Sequence, residues 1–110
     1  MRLGVLTEPD GENRVAIVPN SVKKLIKKGL EVFVESGAGV KSNYSDNEYM
    51  SAGANIVSRD IILSSDLIIS IRMPEVSELN SGLNLVCVAD PFRHPEKINS
   101  CINSNINLFS

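Results

Sequence analysis

Short apolar segments of strand length recur along this chain, and segments with helical character separate them. The apolar segments span residues 2–6, 31–35, 67–72, 85–89 and 105–109. Short, largely apolar runs of this length are typical of buried strands, and their alternation with helices is typical of parallel sheets. The spacing therefore predicts an α/β domain with a mainly parallel sheet covered by helices.

Helix signals occupy the intervals between the apolar segments. Asn20 and Ser21 predict the N-cap of a first helix, and Gly29 predicts its end before the second strand. A short capped helix at 45–49 and a short edge strand at 54–57 are predicted next. This part of the chain therefore has the pattern of strand–helix–strand units.

The last third of the chain is predicted to contain a loop, a helix and a final strand. Polar residues over 77–84 predict the loop, and Pro95 predicts the first turn of the helix. The strand at 105–109 runs up to Ser110 without the polar tail or docked helix with which domains usually finish. We therefore expect residues 1–110 to be an incomplete domain.

The composition restricts the class of protein. With 43% hydrophobic and 22% charged residues, the chain resembles an ordinary folded globular protein. Its formal net charge of -2 argues against nucleic acid as a partner, because binding a phosphate backbone requires clustered positive charge. No apolar run is long enough for a signal peptide or a membrane span. Cys87 and Cys101 show no metal-ligating pattern, so we interpret both as reduced core thiols of a cytoplasmic protein.

Polar residues that follow apolar strands are the first candidates for a ligand site, because ligands gather at the carboxyl ends of parallel strands. These candidates are Thr7 and Glu8, Arg72, and Asp90. Arg14 and Arg72 near one edge of the sheet could hold a carboxylate or a phosphate through forked hydrogen bonds. The alternative is that both arginines form surface ion pairs with Glu8, Glu12 or Glu75.

The segment from Ser36 to Ser42 contains two glycines after a strand and therefore suggests a dinucleotide-binding turn. Ser42 replaces the third glycine of that fingerprint, and three further residues precede any helix cap. A pyrophosphate needs a helix that opens directly on the glycines. We interpret the segment as a structural turn.

His94 is the only histidine, and it lies at the predicted start of the last helix. A helix N-terminus disfavours the imidazolium ion, so we interpret His94 as a neutral capping or surface residue and not as a general base. Neither it nor the cysteines indicate a metal site.

Three blocks occur in an order and spacing that resemble a known family. They are Glu12 to Pro19, the stretch over 32–39, and the stretch over 44–54. Together they resemble the N-terminal domain of the alanine dehydrogenase and proton-translocating nicotinamide nucleotide transhydrogenase family. The resemblance implies a flavodoxin-like, three-layer domain that packs in the full-length protein against a Rossmann domain binding NAD. The NAD-contacting loop and the glycine-rich turn of that family would follow residue 110, so no NAD site is assigned within this chain.

The resemblance also implies roles for three residues. Alanine dehydrogenases hold pyruvate with an arginine and a lysine and use a histidine as proton donor. By position, Arg14 corresponds to the arginine, Arg72 to the lysine and Asp90 to the histidine. Because the histidine is replaced, the transhydrogenase branch is the better match.

The expected function is that of an N-terminal fragment of a transhydrogenase alpha subunit, inactive alone. The complete enzyme would transfer hydride between NAD(H) and NADP(H). The implied partners are the Rossmann domain and the membrane and NADP-binding subunits, with a homodimer as the full-length form located at the cytoplasmic side of the membrane. The alternatives are an amino-acid dehydrogenase of the alanine or saccharopine type, and a non-catalytic remnant or interaction domain.

Overall fold

Six parallel strands form one sheet in the computed structural model, which describes residues 1–88 and 106–109. The strands are β1 (Arg2–Val5), β2 (Glu31–Glu35), β3 (Asn55–Val57), β4 (Leu67–Ser70), β5 (Asn84–Cys87) and β6 (Asn107–Phe109). Each predicted apolar segment overlaps one strand, and β3 is the predicted edge strand. The α/β fold with a parallel sheet is thus confirmed.

The strand order is β3-β2-β1-β4-β5-β6. Without the short edge strand β3, this is the flavodoxin-like order in which the first two strands are reversed. The chain moves outward from β1 to β3 and then returns to pair β4 with the other side of β1, with Val5 opposite Ile69. The carboxyl ends of β1 and β4 therefore form the topological switch point, where open α/β sheets bind their ligands.

Helices cover both faces of the sheet. They are α1 (Pro19–Lys27), α2 (Asp46–Ser51) and α3 (Arg59–Leu63). Leu3 and Val5 belong to a buried cluster that includes residues of α1 and α2, whereas Leu6 belongs to a second buried cluster with Ile62 of α3. Successive side chains of a strand point to opposite faces, so β1 separates two cores and the domain has three layers.

A close contact explains the glycine in the centre of β1. A Cβ atom at Gly4 would lie 2.6 Å from Ser65 Oγ and 2.9 Å from Ile62 Cγ2. The residues around the end of α3 therefore pack directly on the backbone of β1. This contact brings the α3 layer close to the strand that leads into the switch point.

The first helix begins earlier than the sequence predicts. Its N-cap is Val18, which makes no side-chain cap hydrogen bond, and the helix starts at Pro19. The predicted cap at Asn20 and Ser21 is therefore wrong, because the fixed φ angle of proline suits the first helical position without a polar cap. The predicted end is confirmed: Gly29 follows the C-cap with a φ of +93°.

The other local predictions have mixed outcomes. Ser45 caps α2 as expected, with its Oγ accepting a hydrogen bond from the Glu48 N–H at 3.2 Å. The predicted loop over 77–84 contains part of a 3-10 helix, Val76–Glu78, and α3 was not predicted. Cys87 is a buried thiol, as interpreted from the sequence. The predicted helix at Pro95 and the residue Cys101 lie outside the described residues.

Within residues 1–88 and 106–109, no helix is both long and apolar enough to cross a membrane.

Candidate functional site

A cleft of about 390 Å³ lies at the switch point, at the carboxyl ends of β1, β2 and β4. Its polar wall includes Thr7, Glu8, Glu35, Arg59, Ser70 and Arg72. Leu6 and Met73 contribute apolar surface to the same cleft. The cleft combines an apolar lining with a few convergent polar groups, which is the usual character of a small-ligand site.

Glu12 brings the two predicted arginines together at the edge of this cleft. Its Oε2 atom accepts a hydrogen bond from Arg14 Nε at 2.8 Å, and its Oε1 atom accepts one from Arg14 Nη2 at 3.0 Å. Arg72 Nε donates to the same Oε1 atom at 2.9 Å. The ion pair with Glu12 that the sequence left open therefore exists for both arginines. A role for Arg14 and Arg72 in holding a ligand stays a prediction.

The shared carboxylate is protected from solvent although both cations are partly exposed. The side chain of Glu12 is 7% exposed, compared with 62% for Arg14 and 41% for Arg72. The hydrogen bonds from Arg14 are the largest influence on the pKa of Glu12 and lower it to about 2. The pKa of Arg14 rises for the same reason. Glu12 is consequently ionised at any physiological pH.

Glu8 has a different role from the one expected. Its Oε1 atom accepts a hydrogen bond from the backbone N–H of Arg72 at 2.8 Å, and its Oε2 atom accepts one from the N–H of Ile71 at 2.9 Å. Burial raises the pKa of Glu8, although the two backbone hydrogen bonds oppose that shift. Glu8 thus joins the end of β1 to the end of β4 and sets the position from which the Arg72 side chain leaves the backbone.

Arg59 is a further cleft residue that sequence reasoning missed. Its Nη1 atom donates to Glu35 Oε1 at 3.1 Å, and its Nε atom donates to Glu78 Oε2 at 2.9 Å. Glu35 Oε1 also accepts a hydrogen bond from the N–H of Thr7 at 2.9 Å. This network ties α3 to the loop after β4. The available signal was the position of Arg59, two residues after the end of an edge strand, but α3 is too short to show helical periodicity.

Two buried hydroxyl groups of the cleft lack hydrogen-bond partners in the described part of the chain. They are Thr7 Oγ1 and Ser70 Oγ, and Ser70 is only 2% exposed. A buried hydroxyl without a partner costs on the order of 1–3 kcal/mol. Such groups next to a cleft are suited to receive a hydrogen bond from a ligand or to donate one.

The glycine turn after β2 is closed by the protein itself. The Gly37 N–H donates to Asp46 Oδ1 at 2.9 Å, and Ser36 Oγ donates to Asp46 Oδ2 at 2.8 Å. A Cβ atom at Gly39 would lie 2.6 Å from the ring of Tyr49, and α2 begins only at Asp46. Contacts within the protein therefore account for both glycines, which agrees with the interpretation of this segment as a structural turn.

Two sequence candidates are not placed by the structure. Asp90 and His94 lie outside the described residues, so the structure does not bear on their predicted roles. Among the residues that are described, no group of three or more His, Cys, Asp or Glu side chains could hold a metal ion.

A family model now decides the relationship of this chain. The model described as alanine dehydrogenase/PNT, N-terminal domain, matches residues 4–110. The chain belongs to this family. Membership explains the order of the sequence blocks and the three-layer sheet together, and it confirms the resemblance drawn from the sequence.

Individual members of the family extend well beyond this chain. NAD(P) transhydrogenase subunit alpha of Haemophilus influenzae is 32% identical over 114 residues, covering 100% of this chain and 22% of that protein. Alanine dehydrogenase 1 of Staphylococcus aureus is 41% identical over 68 residues, covering 62% of this chain and 18% of that protein. The transhydrogenase structure from Sinorhizobium meliloti superposes with a TM-score of 0.93 at 33% identity, covering 100% of this chain and 34% of that one. The chain spans about a fifth of the length of the curated relatives it matches.

Proposed function

We propose that this chain is the N-terminal part of an NAD(P) transhydrogenase alpha subunit, which transfers hydride between NAD(H) and NADP(H) when complete. The observation that carries this proposal is the fraction of the chain over which each similarity extends. The sequence similarity to the Haemophilus influenzae transhydrogenase subunit alpha extends over 100% of the chain, whereas that to the Staphylococcus aureus alanine dehydrogenase 1 extends over 62%. Solved structures of both kinds superpose over the whole chain, and the transhydrogenase has the higher identity, 33% compared with 25%. Asp90, where a dehydrogenase would have its histidine, supports the same branch.

In this proposal the chain supplies one wall of the reaction site, and NAD is held by another domain. The described residues do not fit a dinucleotide: the N–H of Gly37, which a pyrophosphate would need, already donates to Asp46. The cofactor carries the hydride chemistry when bound. Within this chain, Leu6 and Met73 exclude water from the cleft, and Arg72 lies at the switch point.

The proposal extends to the assembly. A Rossmann domain packs against the carboxyl edge of the sheet, membrane and NADP-binding subunits complete the enzyme, and the alpha subunit is a homodimer at the cytoplasmic side of the membrane. On its own, the chain of 110 residues is catalytically inactive.

An amino-acid dehydrogenase is the second candidate. The higher identity to alanine dehydrogenase 1, 41% over 68 residues, favours it, as does the arginine pair at Glu12. Arg14 and Arg72 would then hold the carboxylate of a 2-oxo acid, because guanidinium groups bind carboxylates through paired hydrogen bonds.

Activity of the full-length protein distinguishes the two candidates. A transhydrogenase reduces an NAD analogue with NADPH in membranes, and its coding sequence continues past Ser110 into a dinucleotide-binding domain and membrane helices. An amino-acid dehydrogenase oxidises NADH when pyruvate or 2-oxoglutarate is supplied with an amine. Oxo-acid-dependent oxidation without transhydrogenation would overturn the proposal in favour of the second candidate. Absence of both activities would indicate a non-catalytic domain.

A further inference from the structure

The exposed side of α1 carries a concentrated positive charge. Four of the chain's 11 basic residues lie on this helix or at its C-cap. They form what we call the lysine face: Lys23, Lys24, Lys27 and Lys28. All four are exposed, whereas Val22 of the same helix is fully buried. Residues 19–30 contain no acid, and the other seven basic residues of the chain stand against 13 acidic residues. Positive charge is therefore segregated to one side of a chain whose remaining residues are net acidic.

The spacing of the four lysines is unfavourable for the helix itself. Lys23 is four residues before Lys27, and Lys24 is four residues before Lys28, so each pair lies one turn apart on the same side. Like charges at this spacing destabilise a helix, whereas a lysine paired with an acid stabilises it. Within residues 1–88 and 106–109, the ion pair formed by a lysine is that of Lys41 with Asp10, and the lysine face forms none. Its charges are consequently available to an external anion.

Two exposed apolar side chains border the lysine face on the side of α2. Ile26 is 36% exposed, and Met50 of α2 is 49% exposed. Both lie beside Gly53: a Cβ atom added there would be 2.6 Å from Ile26 Cδ1, and the Gly53 N–H donates to the Met50 carbonyl at 3.0 Å. Cations next to exposed apolar side chains are typical of helices that lie on a lipid bilayer, where lysine stems and apolar groups enter the headgroup region.

We propose that the lysine face binds the anionic surface of a lipid bilayer and orients the protein on it. The choice of a bilayer as the partner rests on the proposed function, which places the protein beside a membrane. Clusters of about four or more basic residues on an amphipathic helix bind acidic lipids through their charge. Charges more than about 8 Å apart are largely screened at physiological ionic strength, so the cluster acts locally although the whole chain has a net charge of -2.

The lysine face is separate from the switch-point cleft. None of its four residues lines that cleft, and Lys23 instead lines a shallow groove between α1 and α2 together with Glu48. Glu48 Oε1 accepts a hydrogen bond from the Ser45 N–H at 3.2 Å in the cap of α2, and it forms no ion pair with Lys23. Binding through the lysine face therefore leaves the cleft open to a ligand. The net acidic remainder of the chain is repelled by the same surface, so a single orientation is favoured.

Lysine acetylation footprinting tests the inference on the full-length protein, because it reports each lysine separately even when other segments hold the protein in a membrane. The protein is reconstituted with vesicles of phosphatidylcholine and phosphatidylglycerol and treated with acetic anhydride, and mass spectrometry gives the acetylation rate of each lysine. Relative to vesicles of phosphatidylcholine alone, the rates on the lysine face should fall at least about fivefold. Lys41, which is exposed and belongs to another segment, is the internal control whose rate should not change. High salt should abolish the protection, because it screens the charge of the bilayer.

The double substitution Lys24→Gln and Lys27→Gln gives a second measurement. Glutamine has nearly the helix propensity of lysine and both positions are exposed, so the fold is retained. Each lysine near an anionic surface is worth roughly a fivefold change in binding, so protection of the remaining Lys23 and Lys28 should fall below about twofold. Lys41→Gln is the matched control and should leave the protection of the lysine face unchanged.

The inference is overturned if the anionic vesicles give no protection, if vesicles without phosphatidylglycerol protect equally, or if Lys41 is protected as strongly as the lysine face. Unchanged protection in the double variant would overturn it too. Slow acetylation of the lysine face in detergent without acidic lipid would assign this surface to a protein partner and would also overturn it. Transhydrogenation measured on the same preparation reports separately on the proposed function. Protection without that activity supports the lysine face alone, and activity without protection removes it.

Discussion

The turn after β2 and the switch-point cleft are both polar segments at the carboxyl edge of one sheet, yet their hydrogen-bonding groups are used differently. In the turn, Asp46 accepts hydrogen bonds from Gly37 and Ser36. At the cleft, the hydroxyls of Thr7 and Ser70 have no partner among the described residues. The segment that looks like a ligand loop in the sequence is closed by the protein, and the less conspicuous segment keeps open donors. Glycine content is therefore a poorer guide to a ligand site than the state of the hydrogen-bonding groups.

The turn and the cleft should also differ in how their residues contribute to the stability of the fold. The turn packs on Tyr49, whose side chain is fully buried and whose hydroxyl donates to the Ile17 carbonyl at 2.7 Å. Burial raises the pKa of Tyr49 to about 12, so this hydroxyl keeps its proton. Substitutions in the turn should consequently lower the stability of the fold. Substitutions in the cleft should leave stability largely unchanged and weaken ligand binding instead.

Gly39→Ala should disrupt the closed turn and cause the largest loss of stability among the substitutions considered. The added Cβ atom would lie 2.6 Å from Tyr49 Cε2 and 2.9 Å from the Tyr44 carbonyl oxygen. Because Tyr49 is enclosed and does not give way, we expect a loss of about 3 kcal/mol in the free energy of unfolding. Urea unfolding followed by circular dichroism measures it, since the chain has no tryptophan.

Gly82→Ala is the control for that substitution. Gly82 has a positive φ of +86°, whereas Gly39 has a φ of -96°, and nothing lies within 4 Å of a Cβ atom added at Gly82. It should cost about 1 kcal/mol through backbone strain alone. A loss at Gly39 no larger than the loss at Gly82 would contradict the close contact with Tyr49, since the φ of Gly39 adds no backbone strain.

Tyr49→Phe should weaken the same turn by a smaller amount. The substitution keeps the ring and leaves the Ile17 carbonyl without the hydroxyl donor, which should cost about 1.5 kcal/mol. Tyr44→Phe is the control, because Tyr44 shares the edge-to-face ring contact and its hydroxyl makes no described hydrogen bond. A Tyr49→Phe protein as stable as the control would contradict the importance of this buried hydrogen bond.

Glu12 gives the cleft a pH dependence in the acidic range. Its pKa in the folded state is about 2, below the ordinary 4.5, so the folded state holds the proton less tightly than the unfolded state. The stability that Glu12 contributes is complete above pH 4.5 and is lost as the pH falls toward 2. We therefore expect the difference in unfolding midpoint between wild type and Glu12→Gln to shrink over this range. A difference that stays constant with pH would contradict the shared ion pair.

Ser70→Ala should have the smallest effect on stability, and it therefore distinguishes the cleft most clearly from the closed turn. Because Ser70 Oγ has no described partner, its removal should leave the free energy of unfolding unchanged or raise it by up to about 1 kcal/mol. Ser64→Ala is the control, since Ser64 Oγ donates to the Ile61 carbonyl and its loss should lower stability slightly. A loss of more than about 1 kcal/mol in Ser70→Ala would mean that this hydroxyl already has a partner.

Periodicity and local end signals were sufficient to predict most of the framework. The apolar segments located the strands, Gly29 located the end of α1, and Ser45 located the cap of α2. These features depend on residues within a few positions of one another, so they are legible without a structure. The start of α1 was misplaced because Pro19 needs no polar cap, and α3 was missed because five residues give no periodic pattern.

The site was predictable only in its location and its residue types. The rule for parallel sheets places Thr7, Glu8 and Arg72 at one edge, and the sheet confirms that placement. Which acid binds which base was open in the sequence: Arg72 pairs with Glu12 across a separation of 60 residues, while Glu8 binds backbone N–H groups instead. Partner choice of this kind follows from the pairing of β1 with β4, which brings distant segments within hydrogen-bond distance. Local sequence determines the helices and strands, and the packing of those elements determines which side chains bind one another.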